Sequence, residues 1–499
     1  MSRIYFDTNV FSNLRINSLP QYQTLNQLIV ERKDRLSVYF SIGHIRDKRK
    51  DQSDYKFLDF EFMEFLTGDN YLAYDPIERR PGFYLATPKM AFDDDSPDNE
   101  YTSAMNIFEP SEDDDQMNAS FKSMLRSIFE NLPIGIDNSI FENLPQEQKK
   151  LVSSFLPLEE GASFLDLMNN MIQFTEELHK DSNLYKDLRT MVDKGMNNGQ
   201  ITLNGDIDFN EALKDTAIQK TFFDFIKDTI YYKDKDKIPY YDFFQLAYNM
   251  LDVLGISKDK ITKKNTLGNL QNDGYHSYFA GYCDYFITDD KTITSKAKAL
   301  YNLLGIKTQV LSVDEFNEVL PELLSDKRDD WDSLLNKLAW DFKNAERKEP
   351  IIVDGVITSR LGRNHRYLDF CDSVIEISSK DCRKLIAFKG DAHSLSDPSY
   401  SECKKIIHCA LLILGNDDEL KLEFDYQKFN SDTNVPLSRQ WKISEQFSIE
   451  LNFHPEINGK YGLAFIFPRI ENKPIGRWRK LQLAIIEQFR KLIFKKNNN

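Results

Sequence analysis

Apolar residues recur along this chain with two different periods, and the changes of period mark its elements. Arg3–Phe6 (RIYF) is short and β-prone, Asp7-Thr8-Asn9 follows, and from Val10 the apolar positions fall at helical spacing. Leu36–Ile42 (LSVYFSI) reads as a second strand, His44–Lys50 as a charged helical start, and Asp54–Leu66 (DYKFLDFEFMEFL) as an amphipathic helix. Between Pro76 and Tyr101 the pattern breaks up around prolines, a glycine and the acidic run Asp93-Asp94-Asp95, with a second run at Glu112–Asp115. That zone reads as a solvated loop or a partly disordered excursion. From Asn118 to Asp234 helical patterns are punctuated by Pro133, Pro145, Pro157 and Gly195, as expected of a helical insertion, and Tyr240–Leu254 is a further amphipathic helix.

A compact unit follows. Asp284–Thr288 (DYFIT) is a strand with Asp289-Asp290 at its exit, Lys291–Leu304 a helix capped by Gly305, and Ile306–Val313 the next strand. A strand, helix and strand this close together imply a parallel pair joined by a crossover. Ligands of open α/β sheets bind beyond the carboxyl ends of such strands, where Asp7 and Asp290 both fall. Past Leu323 helices (Asp329–Glu346 and Ile475–Phe494) mix with strand-like runs such as FSIELNF and GLAFIF. The expected organisation is a parallel α/β sheet flanked by helices and built from residues 1–75 and 239–322. It is interrupted by an acidic loop and helical insertion at 76–238 and followed by an α+β domain at 323–499.

Length and charge limit the function. A chain of 499 residues holds two or three cores, and a net charge of -15 argues against a protein that coats nucleic acid through its overall field. It leaves room for a metal-dependent enzyme, whose site is itself made of carboxylates. No run reaches the length of apolar residues that a membrane span needs, and only five residues separate Met1 from the first acid, Asp7, too few for a signal-peptide apolar core, so a cytoplasmic protein is expected. Cys283, Cys371, Cys382, Cys403 and Cys409 form neither an even set nor a CxxC pair, which points to reduced thiols.

Four acids at element ends carry the chemical argument: Asp7, Asp47, Asp273 and Asp290. Singly, each reads as an ordinary cap or turn former. Gathered in one crevice they would repel, and Mg²⁺ or Mn²⁺ would relieve that repulsion and supply phosphodiester chemistry.

IYFDTNVFSNL at 4–14, YFSIGHIRD at 39–47, NDGYHSYFAGYCDYFITDD at 272–290 and LGIKTQVLSVDEF at 304–316 together resemble the successive signatures of PIN-domain nucleases. The resemblance implies that Asp7, Asp47, Asp273 and Asp290 bind Mg²⁺ or Mn²⁺, with Asn9 and Thr288 as supporting polar groups and Asp289 and Asp284 as nearby spares. It implies an endonuclease acting on RNA or single-stranded DNA, in the manner of toxin-like ribonucleases or a regulated effector of antiviral defence in bacteria. The alternative is a PIN-like scaffold without catalysis that binds RNA or protein. A regulatory protein or a second copy of the chain would be further partners. Asp47 stands where the family more often has glutamate, and the stretch between Asp47 and Asp273 is longer than usual.

Three further features stand apart from the acids. His276, three residues after Asp273, reads as a substrate or metal neighbour, or as a packed histidine. Arg46, Lys48, Arg49 and Lys50 (within RDKRK) form a basic stretch suited to steering a phosphate backbone. Lys263-Lys264 and the terminal basic helix around Trp478 are weaker candidates of the same kind, and Asp391, His393, Cys403, His408 and Cys409 match no zinc spacing.

Overall fold

The structure is a computed structural model that describes residues 2–17, 19–77, 79–95, 116–132, 134, 146–157, 161–203, 208–230, 232, 234–259, 267–325, 330–353, 356–362, 365–390, 398–418, 438–445, 447–457 and 459–468. The runs Glu112–Asp115 and Lys263-Lys264, the stretch from Asp391 to His393 and the terminal basic helix lie outside the described residues. The chain divides into two compact units, Met1–Lys327 with Asp391–Glu402, and Arg328–Gly390 with Cys403–Asn499.

The first unit is mixed α/β. Its six-stranded sheet contains β1 (Ser2–Phe6), β2 (Leu36–Ser41), β3 (Asn70–Asp75), β4 (Arg80–Leu85), β5 (Tyr285–Ile287) and β6 (Gln309–Leu311) in the order β4-β3-β2-β1-β5-β6. All neighbours run parallel except the β3–β4 pair. Side chains alternate across a strand, and that alternation sorts the core into two layers. Ile4, Phe6, Val38, Phe40 and Ile287 pack with Val10, Phe11 and Leu14 of α1 (Thr8–Ile16) and with the neighbouring helices α2 (Pro20–Glu31) and α4 (Tyr55–Thr67). Tyr5, Tyr39, Leu72 and Phe286 face the other way, into a cluster formed by helices from the middle of the chain. Among these are α8 (Phe164–Lys180), α9 (Ser182–Met196), α12 (Tyr240–Val253), α13 (Leu267–Ala280) and α14 (Lys291–Leu304). The helices read as an insertion therefore share a core with the sheet: Phe174, Leu178 and Tyr185 belong to the same apolar cluster as Tyr5.

The zone read as a loop after Pro76 is partly ordered. β4 pairs antiparallel with β3 from Asn70↔Leu85 to Asp75↔Arg80, and α5 (Pro88–Asp94) follows. Pro81 and Gly82 obscure the strand pattern, yet a proline is tolerated at a sheet edge, where no further ladder hydrogen bond is needed.

The second unit holds a seven-stranded antiparallel sheet, made of β7 (Ile351–Val353), β8 (Val356–Leu361), β9 (Ser373–Ser378), β10 (Cys382–Phe388), β11 (Arg439–Ser444), β12 (Phe447–His454) and β13 (Lys460–Pro468). Their order is β11-β12-β13-β10-β9-β8-β7. Ile375, Ile377, Ile386 and Phe388 form part of its core, and Glu376 is held at the sheet by Arg347 and Arg383. All five cysteines are free thiols.

Candidate metal centre

Strand order places the site. From β1 the chain leaves toward β2 and β3, whereas from β5 it leaves toward β6 on the opposite side. Connections that diverge from adjacent parallel strands leave a crevice at their carboxyl ends. Asp7 ends β1 there, its backbone N–H donating to Ile287 O at 3.0 Å. Thr288, just past β5, is buried and donates from Oγ1 to Asp7 Oδ2 at 3.0 Å, while accepting from the Asp290 N–H at 3.1 Å. One threonine thus sets the positions of two acids.

Asp47 arrives from α3 (Ile42–Lys50), which packs against α13. Ser41 starts α3 as its N-cap, accepting from Gly43 N at 3.2 Å, and the His44 ring accepts the Ser41 N–H at 3.1 Å. Gly43 and Asp47 stand one turn apart on α3 and meet Asn272 and His276, one turn apart on α13. Asn272 Nδ2 bridges them, donating to Gly43 O at 2.8 Å and Asp47 Oδ1 at 2.6 Å. The His276 ring fills the space over Gly43: a Cβ there would sit 3.0 Å from His276 Cε1. Glycine is what lets the two helices bring their polar groups together.

His276 is completely buried, with Nε2 at 3.1 Å from Asp47 Oδ2 and 3.2 Å from Thr8 Oγ1, and Nδ1 at 2.8 Å from the Tyr5 hydroxyl. Tyr5 in turn meets Ser41 Oγ at 2.6 Å. His44 contacts Phe6 O through Nε2 at 2.7 Å, and burial holds its ring well below the usual histidine range. Asp7, Asp47 and His276 each offer a ligand atom, and these three atoms lie within 4.8 Å of one another.

The electrostatics are those of crowded carboxylates. Burial, with Asp47 and Asp290 adding to it, raises the Asp7 carboxyl above its ordinary value of 3.8. Asp273 is pushed well above the same value, by burial first and then by Asp7, Asp47, Asp259 and Asp290. Asp47 goes the other way: burial opposes its ionisation, but the hydrogen bond and charge of His276, with help from Lys50 and Thr8, hold it below the ordinary range. All four acids therefore act on a common region, although only Asp7 and Asp47 enter the close group with His276. Asp290 is exposed and spends Oδ1 on capping α14, accepting from Thr292 N at 2.7 Å and Ile293 N at 3.0 Å.

The remaining expected residues are distributed as follows. Asn9 is exposed at the start of α1. Asp289 accepts from the Tyr22 hydroxyl at 2.5 Å and from Val313 N at 3.0 Å, tying α2 to the start of α15 (Val313–Ser325). Asp284 precedes β5, at the opposite end of the strand from Asp290, and accepts from Arg3 N at 2.8 Å. The basic stretch is not one patch. Lys48 is buried and ion-paired with Asp59, which also holds Arg15, so its ammonium is turned to the core and not to a phosphate. Arg49 pairs with Asp95 at 2.8 Å and lies over the Phe92 ring. Arg46 lies over the Tyr275 ring, 4.9 Å from its centroid, and Lys50 is exposed, 3.6 Å from Asp47. Cys403 is buried and His408 exposed, and among the described residues no second group of metal-ligating side chains occurs.

Sequence reasoning passed over Tyr5, Gly43 and Asn272. Tyr5 was marked by its place in β1, opposite to Ile4 and Phe6; Asn272 was marked by standing one turn before His276. Gly43 carries no such signal, because its role depends on a helix more than 200 residues away.

No family model matches the chain, and neither the curated proteins nor the solved structures hold a match to it. Among the described residues no helix is long and apolar enough to cross a membrane.

Proposed function

We propose that the first unit is a metal-dependent nuclease of the PIN type that hydrolyses phosphodiester bonds of RNA or single-stranded DNA. The observation that carries this reading is the meeting of Asp7 and Asp47 at the diverging carboxyl ends of parallel strands, within the field of Asp273 and Asp290. The carboxyls of Asp7 and Asp273, raised by burial and by the neighbouring acids, are of the kind a hard divalent cation stabilises. The donor set fits one. Asp7 is buried with Thr288 on one oxygen, and Asn272 Oδ1, buried beside Asp47, has no hydrogen-bond partner among the described residues.

Asp7 and Asp47 would hold Mg²⁺ or Mn²⁺, with Asp273 and the free oxygen of Asp290 at its margin. A divalent ion there would polarise the phosphodiester and activate a water for in-line displacement. The chain's own groups do the positioning. Thr288 fixes the Asp7 carboxyl, and Asn272 and His276 fix both oxygens of Asp47. Arg46 and Lys50, on the same helix as Asp47, supply local positive charge to a phosphate backbone in an otherwise acidic protein.

The test is cleavage of single-stranded RNA, single-stranded DNA and duplex DNA with Mg²⁺ or Mn²⁺, comparing wild type with Asp7→Asn and Asp47→Asn. Cleavage of a single-stranded substrate that chelator and either substitution abolish supports the reading. Cleavage indifferent to both substitutions overturns it.

A further inference from the structure

We infer that His276 is itself a ligand of the metal centre, and that its nitrogen makes the site select Mn²⁺ over Mg²⁺. This rests on the nuclease reading above but goes beyond a carboxylate site.

Three observations point to a ligand and not merely a packed ring. The first is spacing. With bonds of about 2.1 Å, neighbouring ligands of an octahedral ion stand about 3.0 Å apart. His276 Nε2 and Asp47 Oδ2 are already 3.1 Å apart, with a ligand oxygen of Asp7 inside the same 4.8 Å group. The second is the far side of the ring. A metal-binding imidazole almost always donates its other N–H to an oxygen, which fixes ring orientation and tautomer. His276 Nδ1 has the Tyr5 hydroxyl at 2.8 Å. That hydroxyl has a further acceptor in Ser41 Oγ at 2.6 Å, so it can receive from Nδ1–H and pass its own hydrogen on. The third is space. The ring lies against Gly43, where an added Cβ would crowd Cε1 at 3.0 Å and both ring nitrogens at 3.1 Å, and it is completely buried.

In the ion-free arrangement Nε2–H donates to Asp47 Oδ2. In the ligating arrangement Nε2 offers its lone pair and the hydrogen sits on Nδ1, facing Tyr5. Tyr5 is therefore a positioning residue, acting on the site through His276. The chemical consequence follows from ligand type: carboxylate and water oxygens suit Mg²⁺ and Mn²⁺ alike, whereas an imidazole nitrogen favours the transition ion.

The experiment is pulsed electron paramagnetic resonance of the full chain loaded with Mn²⁺, reading the ¹⁴N modulation of a coordinated imidazole, together with calorimetric titration of Mn²⁺ and Mg²⁺. Wild type is expected to show the ¹⁴N signal and to bind Mn²⁺ about tenfold or more tighter than Mg²⁺. His276→Gln should abolish the signal and bring the two ions close to parity. Tyr5→Phe should keep the signal but weaken Mn²⁺ binding about 10- to 100-fold. Mn²⁺ bound at Asp7 and Asp47 without ¹⁴N modulation overturns the inference and leaves the nuclease reading standing. A chain that binds neither ion overturns both. The wild-type spectrum decides the matter even if a variant fails to fold.

Discussion

Arg3 and Glu402 make a demanding test of how the first unit is built. Arg3 lies in β1, the strand that leads into Asp7, and its guanidinium is fully buried, donating from Nε and Nη2 to the two oxygens of Glu402 at 2.7 Å each. Glu402 is equally buried and also accepts from Ser399 N at 2.9 Å. Burial alone would lower the Arg3 pKa, and Glu402 more than offsets it. Glu402→Ala removes the counter-ion and leaves a charge in the core, which costs about 3–5 kcal/mol. In a domain of this size each kcal/mol moves Tm by about 2–4 °C, so a fall of about 6–20 °C is expected in thermal unfolding. Arg3→Met with Glu402→Leu removes both charges at once and should recover most of the loss. Truncation after Lys327 deletes Glu402 and should destabilise the first unit in the same way as Glu402→Ala. A loss below about 1 kcal/mol for Glu402→Ala, typical of an exposed pair, would refute the claim that the strand carrying Asp7 is anchored by this residue.

Asp7→Asn should abolish ion binding while raising the Tm of chelator-treated protein at neutral pH. The folded-state pKa of Asp7 lies above its ordinary 3.8, so the metal-free wild type loses stability as pH rises through that raised value, and the gap between variant and wild type should close as pH falls below it. Gly43→Ala trades a helix-propensity gain of about 1 kcal/mol against contact with the His276 ring at 3.0 Å; stability should change by less than about 2 kcal/mol, while calorimetry shows ion affinity falling about 10- to 100-fold. Lys48→Ala, which leaves Asp59 with Arg15 and the Ser12 hydroxyl, should cost about 2 kcal/mol in denaturant unfolding. Lys50→Ala should cost less than about 0.5 kcal/mol but lower the salt dependence of substrate binding by about one unit of slope.

Local text was a good guide where local physics decides. The short β-prone run Arg3–Phe6, the strand at Asp284–Thr288 and the helix capped by Gly305 all lie in the structure at the expected places. So does the emergence of Asp7 and Asp290 at one edge of the sheet. Distant packing was illegible. Spacing along α3 cannot show that Lys48 turns inward to Asp59 while Lys50 stays in solvent. Nor can it show that His276 reaches Asp47, since their contact depends on how α3 crosses α13 at Gly43. Asp284 was read as a nearby spare for the site, but β5 lies between it and Asp290 and puts the two at opposite ends of the strand. Glu402 is 399 positions from its partner, with nothing nearby in sequence to announce the pair.

Anomalous diffraction from crystals soaked in Mn²⁺ shows whether these segments enclose a cation. A peak is expected at about 2.0–2.6 Å from carboxylate oxygens of both Asp7 and Asp47. A fully occupied Mn²⁺ elsewhere, or clean density at this crevice with Asp7 and Asp47 bonded only to protein groups, would contradict it.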